Sequence, residues 1–291
     1  VVKIRSIGVN PVDTYIRAGK YGPRQFPFTP GTDAAGIIEA IGVGIGDLKI
    51  GQRVYIYGAI DGAYTEKALC VAPQVHPLPD RLSFDQGAAI GVPFGTAYRA
   101  LFIRGDARPN EFVLIHGASG GVGTAAVQLA VNLGCKVIGT AGSPPGLELV
   151  RRLGAAAVFD HHAENCIQQI LDFTNGKGVD LIIEMLSDQN LDKDLGLLAR
   201  RGRVVIVGNR GRIEIDPRQT MTKDSDIRGM SLMHADAAEL ALIHAALGAG
   251  FSNGTLTPVV GKQFPLADAG KAHEAVLSAG AAGKIVLSVQ S

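Results

Sequence analysis

The sequence predicts an α/β fold: a doubly wound, parallel six-stranded sheet joined to a second, mainly β region. Three observations carry that expectation. Beyond Glu111, short apolar runs alternate with helical stretches, the pattern of a parallel sheet with right-handed crossovers. The first third instead holds short alternating runs closely punctuated by Gly, Pro and Asp. Between these regions, the apolar run at 113–115 leads into a glycine-rich turn and a periodic helix. A hydrophobic content of 46% in 291 residues provides a sizeable core, and a formal net charge of +1 excludes a global field toward nucleic acid or anionic membrane.

Taken in order, residues 1–7 alternate like a half-buried strand and lack an initiator Met, which reads as a chain shortened at its N-terminus. Strands are expected at 36–41, 53–57 and 63–68, with a turn at 29–33. The six strands of the parallel sheet are expected at 112–116, 136–140, 157–159, 179–185, 203–207 and 227–232. Val122, Ala126, Leu129, Ala130 and Leu133 form one apolar stripe at helical spacing. After Ala235 come a helix, a short strand, a helix over 267–278 and a strand over 284–289. The expected domains are 1–94 with 233–291, and 95–232.

Residues 112–135 hold no Asp, Glu, Lys or Arg and are numerous enough to span a bilayer. Gly117, Gly120, Gly121 and Gly123, with His116, Gln128 and Asn132, instead favour a buried strand, a turn and a helix, so no membrane partner is expected. No signal peptide is expected either. Cys70, Cys135 and Cys166 lack a CxxC pair, which argues against a disulfide framework and fits the cytoplasm.

Ala118, Gly120 and Gly123 have the spacing of a G-x-G-x-x-G fingerprint with alanine in the first place. Gly120 would let the backbone approach a pyrophosphate, Gly123 would let the helix pack on the sheet, and the helix-start N–H groups would bind the negative charge. Dinucleotide sites for NAD place Asp or Glu about 20 residues further on, to bond the ribose hydroxyls. Here Gly139-Thr140-Ala141-Gly142-Ser143 offers no carboxylate, which favours NADPH. No Lys or Arg in 143–146 clamps the extra phosphate.

The stretches at 8–15, 30–36, 87–91, 117–123, 183–186 and 207–210 together resemble the zeta-crystallin family of NADPH:quinone oxidoreductases, in the medium-chain dehydrogenase/reductase superfamily. The likeness runs from about Lys3 to Leu287, without the family's N-terminal hairpin. It implies a Rossmann cofactor domain and a GroES-like catalytic domain built from both chain ends. It also implies cofactor contacts from Tyr15, Ser119, Gly120, Gly121, Val122, Gly142, His161, Asn190, Val207, Gly208, Asn209, Arg210, Met230, Ser231 and Leu232.

Alcohol dehydrogenases similar to this chain hold catalytic zinc with a Cys and a His-Glu pair; the matching places here carry Asn10, Thr32 and Asp33. Catalytic zinc needs about three protein ligands and an open position, so no metal is expected. His161 and His162 are adjacent and are expected to point apart on a strand. A quinone spreads incoming charge over two oxygens, so hydrogen-bond donors suffice in place of a Lewis acid. Asn10 and Tyr15 are the catalytic candidates, with amide N–H₂ and phenol O–H as donors; Tyr21 and Phe94 are further pocket candidates.

The expected function is NADPH-dependent quinone reduction, by hydride or stepwise electron transfer. An NADPH-dependent alkene or enal reductase is the alternative. A third reading, binding of AU-rich RNA or a structural role, rests on the family association and on Arg200, Arg201, Arg203, Arg210, Arg212 and Arg218. The resemblance also implies a homotetramer, and Met230, Leu232 and Met233 are expected at an intersubunit edge.

Overall fold

The computed structural model describes residues 1–278, 280 and 282–289. The chain divides into two compact units, Val1–Gly95 with Ala237–Ser291, and Thr96–Asp236. In chain order the strands are β1 (Val2–Val9), β2 (Asp33–Ile38), β3 (Arg53–Tyr57), β4 (Lys67–Ala68), β5 (Val75–Pro77), β6 (Phe112–Ile115), β7 (Lys136–Ala141), β8 (Ala157–Asp160), β9 (Val179–Glu184), β10 (Leu198–Ile206), β11 (Asp226–Gly229), β12 (Val260–Pro265) and β13 (Lys284–Ser288).

The first unit is a sheet in the order β12-β13-β1-β2-β3-β5, with β4 also paired to β1. Among the described residues only β12 and β13 run parallel; the other pairs are antiparallel. Val2, Ile4, Ile7 and Val9 of β1 join Ile38, Val54, Ile56 and Leu287 in one buried cluster. The expected strand at 63–68 shrinks to Lys67–Ala68, because Ala63 and Tyr64 donate their N–H groups to Pro30 O across a loop. Phe94 is not a pocket residue: it is 1% exposed and packs edge-on against Phe251, ring centroids 5.0 Å apart. Tyr21 is exposed.

The second unit is a sheet in the order β11-β10-β9-β6-β7-β8, every adjacent pair parallel. Strands β6, β7 and β8 progress toward one edge and β9, β10 and β11 toward the other, so the order reverses between β6 and β9. Ligands of such sheets bind beyond the carboxyl ends of the strands at that reversal. The charge-free stretch 112–135 resolves into β6, a turn and the helix Gly121–Leu133, and among the described residues no helix is long and apolar enough to cross a membrane.

Two expected elements differ at their edges. Strand β10 begins at Leu198, and its Arg203 turns inward: the guanidinium donates to Gly105 O, Asp106 O, Asp180 O and both carboxylate oxygens of Glu111. That residue therefore leaves the basic stretch offered for RNA. Strand β11 stops at Gly229; Met230 still donates its N–H to Ile206 O, but Leu232 opens a 3₁₀ turn instead of extending the strand.

Candidate active site

In the second unit, the candidate cofactor residues all fall on segments that follow the carboxyl ends of the parallel strands. After β6, His116 leads into a turn in which Gly117 adopts φ +56°, and Gly120 becomes the cap of helix Gly121–Leu133. The two fingerprint glycines have different physical reasons. A Cβ on Gly123 would lie 2.3 Å from Gly117 O and 2.6 Å from the Ala118 Cα, so the helix can pack here only without a side chain. A Cβ on Gly120 would meet nothing closer than Gly117 O at 3.4 Å, in ordinary extended backbone. The fold does not need that glycine. Its small size leaves a cradle where a ligand can approach the helix-start N–H groups.

After β7, Gly142 and Ser143 carry no carboxylate, and Ser143 Oγ accepts from Gly146 N–H to cap helix Pro144–Arg152. After β8, His161 and His162 lie in a turn with ring centroids 4.3 Å apart. The expectation that they point apart fails because the strand ends at Asp160, whose side chain accepts the His162 N–H. A Cβ on Gly142 would lie 2.6 Å from His161 Nε2 and 2.7 Å from His162 Nε2, so the candidates Gly142 and His161 are neighbours, with His162 beside them.

After β9 and β10 the two exit segments are laced together. Val207 and Gly208 both donate N–H to Glu184 O, and Ser187 N–H donates to Gly208 O. Ser187 Oγ donates to Asn209 Oδ1, and Asn209 Nδ2 donates to Gly211 O. Arg210 N–H donates to Asp188, leaving the residue itself exposed. Asn190, on helix Ser187–Leu197, donates through Nδ2 to both oxygens of Glu184. Met230, Ser231 and Leu232 follow β11.

The group behind these segments has no role among the sequence expectations. His116 Nε2 lies 2.9 Å from Asp194 Oδ1 and 3.6 Å from Glu184 Oε2, while Nδ1 faces Thr140 Oγ1 at 3.2 Å. Burial, reinforced by Asp194, pushes the Glu184 carboxyl up to about 7 against the pull of His116. Burial works against a charged His116, but the two carboxyls outweigh it and raise its affinity for a proton. Among the described residues this is the one cluster of three His, Cys, Asp or Glu side chains close enough to share a cation. Its charges already answer one another through the imidazole. The signal in the sequence was a carboxylate ending an apolar strand and a histidine ending another.

The first unit holds the other candidates. Tyr15 is half-buried on helix Pro11–Arg17, with the Lys20 ammonium 5.1 Å from its ring centroid. Asn10, 2% exposed, differs from its expected role as a free donor. Its Nδ2 donates to Asp33 Oδ2, its Oδ1 accepts from Lys284 Nζ, and its backbone N–H donates to Asp13 Oδ2 at the start of that helix. Lys284 also lies 3.2 Å from Asp33 Oδ2, and Asp33 Oδ1 accepts Val92 N–H. Burial lowers the Lys284 proton affinity although Asp33 and Asp13 oppose it. Burial likewise raises Asp13 to about 6, and Tyr64 O–H donates to that carboxylate.

Among the places matched to zinc ligands, Asp33 is engaged with an ammonium, an amide and a backbone N–H. A second cation would sit against Lys284, and Asn10 and Thr32 supply neither thiolate nor imidazole. These residues do not fit catalytic zinc.

A parallel sheet with an open glycine cradle at its reversal point, in a chain with a separate β unit, defines a nucleotide-dependent oxidoreductase of the medium-chain dehydrogenase/reductase class. Comparison with known proteins agrees. The family profile described as "Alcohol dehydrogenase GroES-like domain" matches residues 1–80, and that described as "Zinc-binding dehydrogenase" matches 121–245. Human quinone oxidoreductase is 48% identical over 289 residues, covering 99% of this chain and 88% of that protein. The quinone oxidoreductase of Thermus thermophilus, solved also with NADPH, superposes with a TM-score of 0.85 at 32% identity, covering 99% of this chain and 90% of that one. The CurK enoyl reductase gives 0.88 at 26% identity, with coverages of 99% and 90%. The chain belongs to the quinone oxidoreductase family.

Proposed function

We propose that the protein oxidises NADPH and delivers the reducing equivalents to a quinone, with no metal ion at the reacting centre. The observation that carries this reading is the Gly120 cradle, open where the fold leaves a side chain room, at the reversal point of a parallel sheet. The family's quinone oxidoreductases, one of them solved with NADPH, support the choice of partners.

The residues present fit the dinucleotide. The N–H groups of Gly121 and Val122 at the helix start would take the pyrophosphate, with Ser119 beside them and the Gly120 N–H spent on Gly117 O. The segment at Gly142 and Ser143 tolerates a 2′-phosphate because no carboxylate repels it. His161, Asn190, 207–210 and 230–232 would line the remainder. NADPH, when bound, supplies the hydride or the electrons. Tyr15 is the proposed donor to a quinone oxygen through its phenol O–H. Asn10 serves it indirectly: its amide is committed to Asp33 and Lys284, and its backbone holds the helix start that presents Tyr15.

Exposed Ile227 and Met233, on and after the edge strand β11, support a homo-oligomer as the working form. Three free cysteines support the cytoplasm as its compartment. The likeness to CurK favours one second reading, reduction of a conjugated enal or enoyl substrate on the same site. Cofactor oxidation followed by nicotinamide absorbance decides between them. Turnover with ortho- or para-quinones well above that with enals supports the first reading; the reverse ranking supports the second. No NADPH oxidation with either overturns both.

A further inference from the structure

We propose that Glu184 is a positioning residue for the dinucleotide: it fixes the Asn190 amide so that the carbonyl oxygen, and not the N–H₂, is offered to the cofactor. This rests on Asn190 lining the nucleotide site as read above.

Glu184 ends strand β9 and is fully buried. Its two carboxylate oxygens each lie 3.3 Å from Asn190 Nδ2, and Oε1 also accepts Leu186 N–H. An amide carries two donors on nitrogen and only acceptor sites on oxygen. Flipping Asn190 would set its oxygen against the carboxylate and lose both contacts, so the orientation follows from the chemistry of Glu184. One N–H is thus shared between the two carboxylate oxygens, the nitrogen faces inward, and Oδ1 is the end turned away from Glu184 toward a ligand.

The consequence is selective. An acceptor oxygen can pair with a ribose hydroxyl or the N–H₂ of a nicotinamide carboxamide, but it repels a phosphate oxygen. Asn190 therefore belongs to the sugar or nicotinamide half, while the helix-start N–H groups of Gly121 and Val122 serve the phosphates.

Glu184 is itself held from the side of the glycine turn. His116, one residue before Gly117, faces Glu184 Oε2 at 3.6 Å and bonds Asp194 Oδ1 at 2.9 Å. Its backbone N–H donates to Ile183 O, next to Glu184. Asp194 Oδ2 is buried without a hydrogen-bond partner, and the Asp194 carboxyl lies close enough to Glu184 to accept from it when that carboxyl carries a proton. The Glu184 carbonyl meanwhile accepts from Val207 and Gly208. One residue thereby ties the exits of β6, β9 and β10 to the orientation of a single amide.

The test is a double-mutant cycle on NADPH affinity, followed by fluorescence titration, with thermal melts of each variant. Asn190→Ala is expected to weaken binding about tenfold, the size of one lost neutral hydrogen bond. Glu184→Ala is expected to weaken it about as much, and the double variant no more than the worse single one. Glu184→Gln keeps an acceptor for Nδ2 and is expected to restore affinity to within about twofold. Glu184→Met fills the same space without an acceptor, so it replaces Glu184→Ala if that variant does not melt cooperatively. Wild-type affinity in a folded Glu184→Met, or multiplying effects near a hundredfold in the double variant, overturns the positioning role alone. Unchanged affinity in Asn190→Ala overturns the placement of Asn190 in the site, and this inference with it.

Discussion

Lys284 Nζ lies 3.2 Å from Asp33 Oδ2 in the first unit, and both side chains are almost wholly buried. Asp33 is one of the residues matched above, by resemblance, to zinc-ligand positions of alcohol dehydrogenases. A buried pair adds little by existing, because desolvation offsets attraction, but removing one partner strands the other charge. Lys284→Met should therefore lower stability by about 3–5 kcal/mol. Lys284→Met combined with Asp33→Asn should recover part of the loss. Denaturant melts of the three proteins check this, and a single variant as stable as wild type would show the pair to be dispensable.

The two fingerprint glycines should separate in experiment. Gly120→Ala meets only Gly117 O at 3.4 Å, so its melting temperature should stay near wild type while NADPH affinity falls at least tenfold. Gly123→Ala forces a Cβ to 2.3 Å from that same oxygen, so it should lose stability first, by roughly 1–3 kcal/mol of overpacking. Melting curves with and without NADPH measure both effects. Equal destabilisation by the two changes would mean that Gly120 too is a packing residue.

Legibility in the sequence tracked the range of each signal. Apolar alternation is local, so β3 matches the expected 53–57 and the parallel strands lie within a few residues of their places. The glycine turn was equally plain, since its steric reason lies within seven residues. In sequence Arg203 reads as part of a surface basic stretch, because its five acceptors come from residues 105, 106, 111 and 180, distant in sequence. The partners of Asn10 escape the sequence for the same reason: Lys284, which donates to its oxygen, stands near the opposite end of the chain. Charge partners across a fold carry no period for a sequence to show.

Acid should act on the stacked imidazoles of His76 and His244, whose ring centroids are 3.7 Å apart beside Tyr55. Burial lowers His76 to about 3 and His244 to about 4, with His244 also repelling a proton on His76. The unfolded chain takes up these protons near pH 6.5, the folded one only near 3–4, so their stabilisation is complete above 6.5 and drains away as pH falls toward 4. Each imidazole contributes a slope of about 1.4 kcal/mol per pH unit in that window. Asp13 and Glu184 act oppositely, holding protons more tightly when folded. Replacing His76 by Phe keeps the stack and should make stability less acid-sensitive by one such slope. An unchanged pH profile, or a His76 resonance titrating near 6.5, would refute the assignment.

The preference for NADPH over NADH should hinge on the segment that leaves β7. Ser143 Oγ accepts Gly146 N–H at 3.3 Å and caps helix Pro144–Arg152. Aspartate caps a helix start as well as serine and favours its positive end, so Ser143→Asp should leave folding intact. The new carboxylate would repel a 2′-phosphate and accept from a 2′-hydroxyl, the arrangement used in NAD sites. The ratio of NADPH to NADH affinity should fall at least tenfold, with NADH binding equal to or tighter than in wild type. Parallel titrations with the two coenzymes measure that ratio directly. A variant that keeps its preference for NADPH would place the 2′-phosphate elsewhere and remove the physical reason for reading the missing carboxylate as a specificity signal.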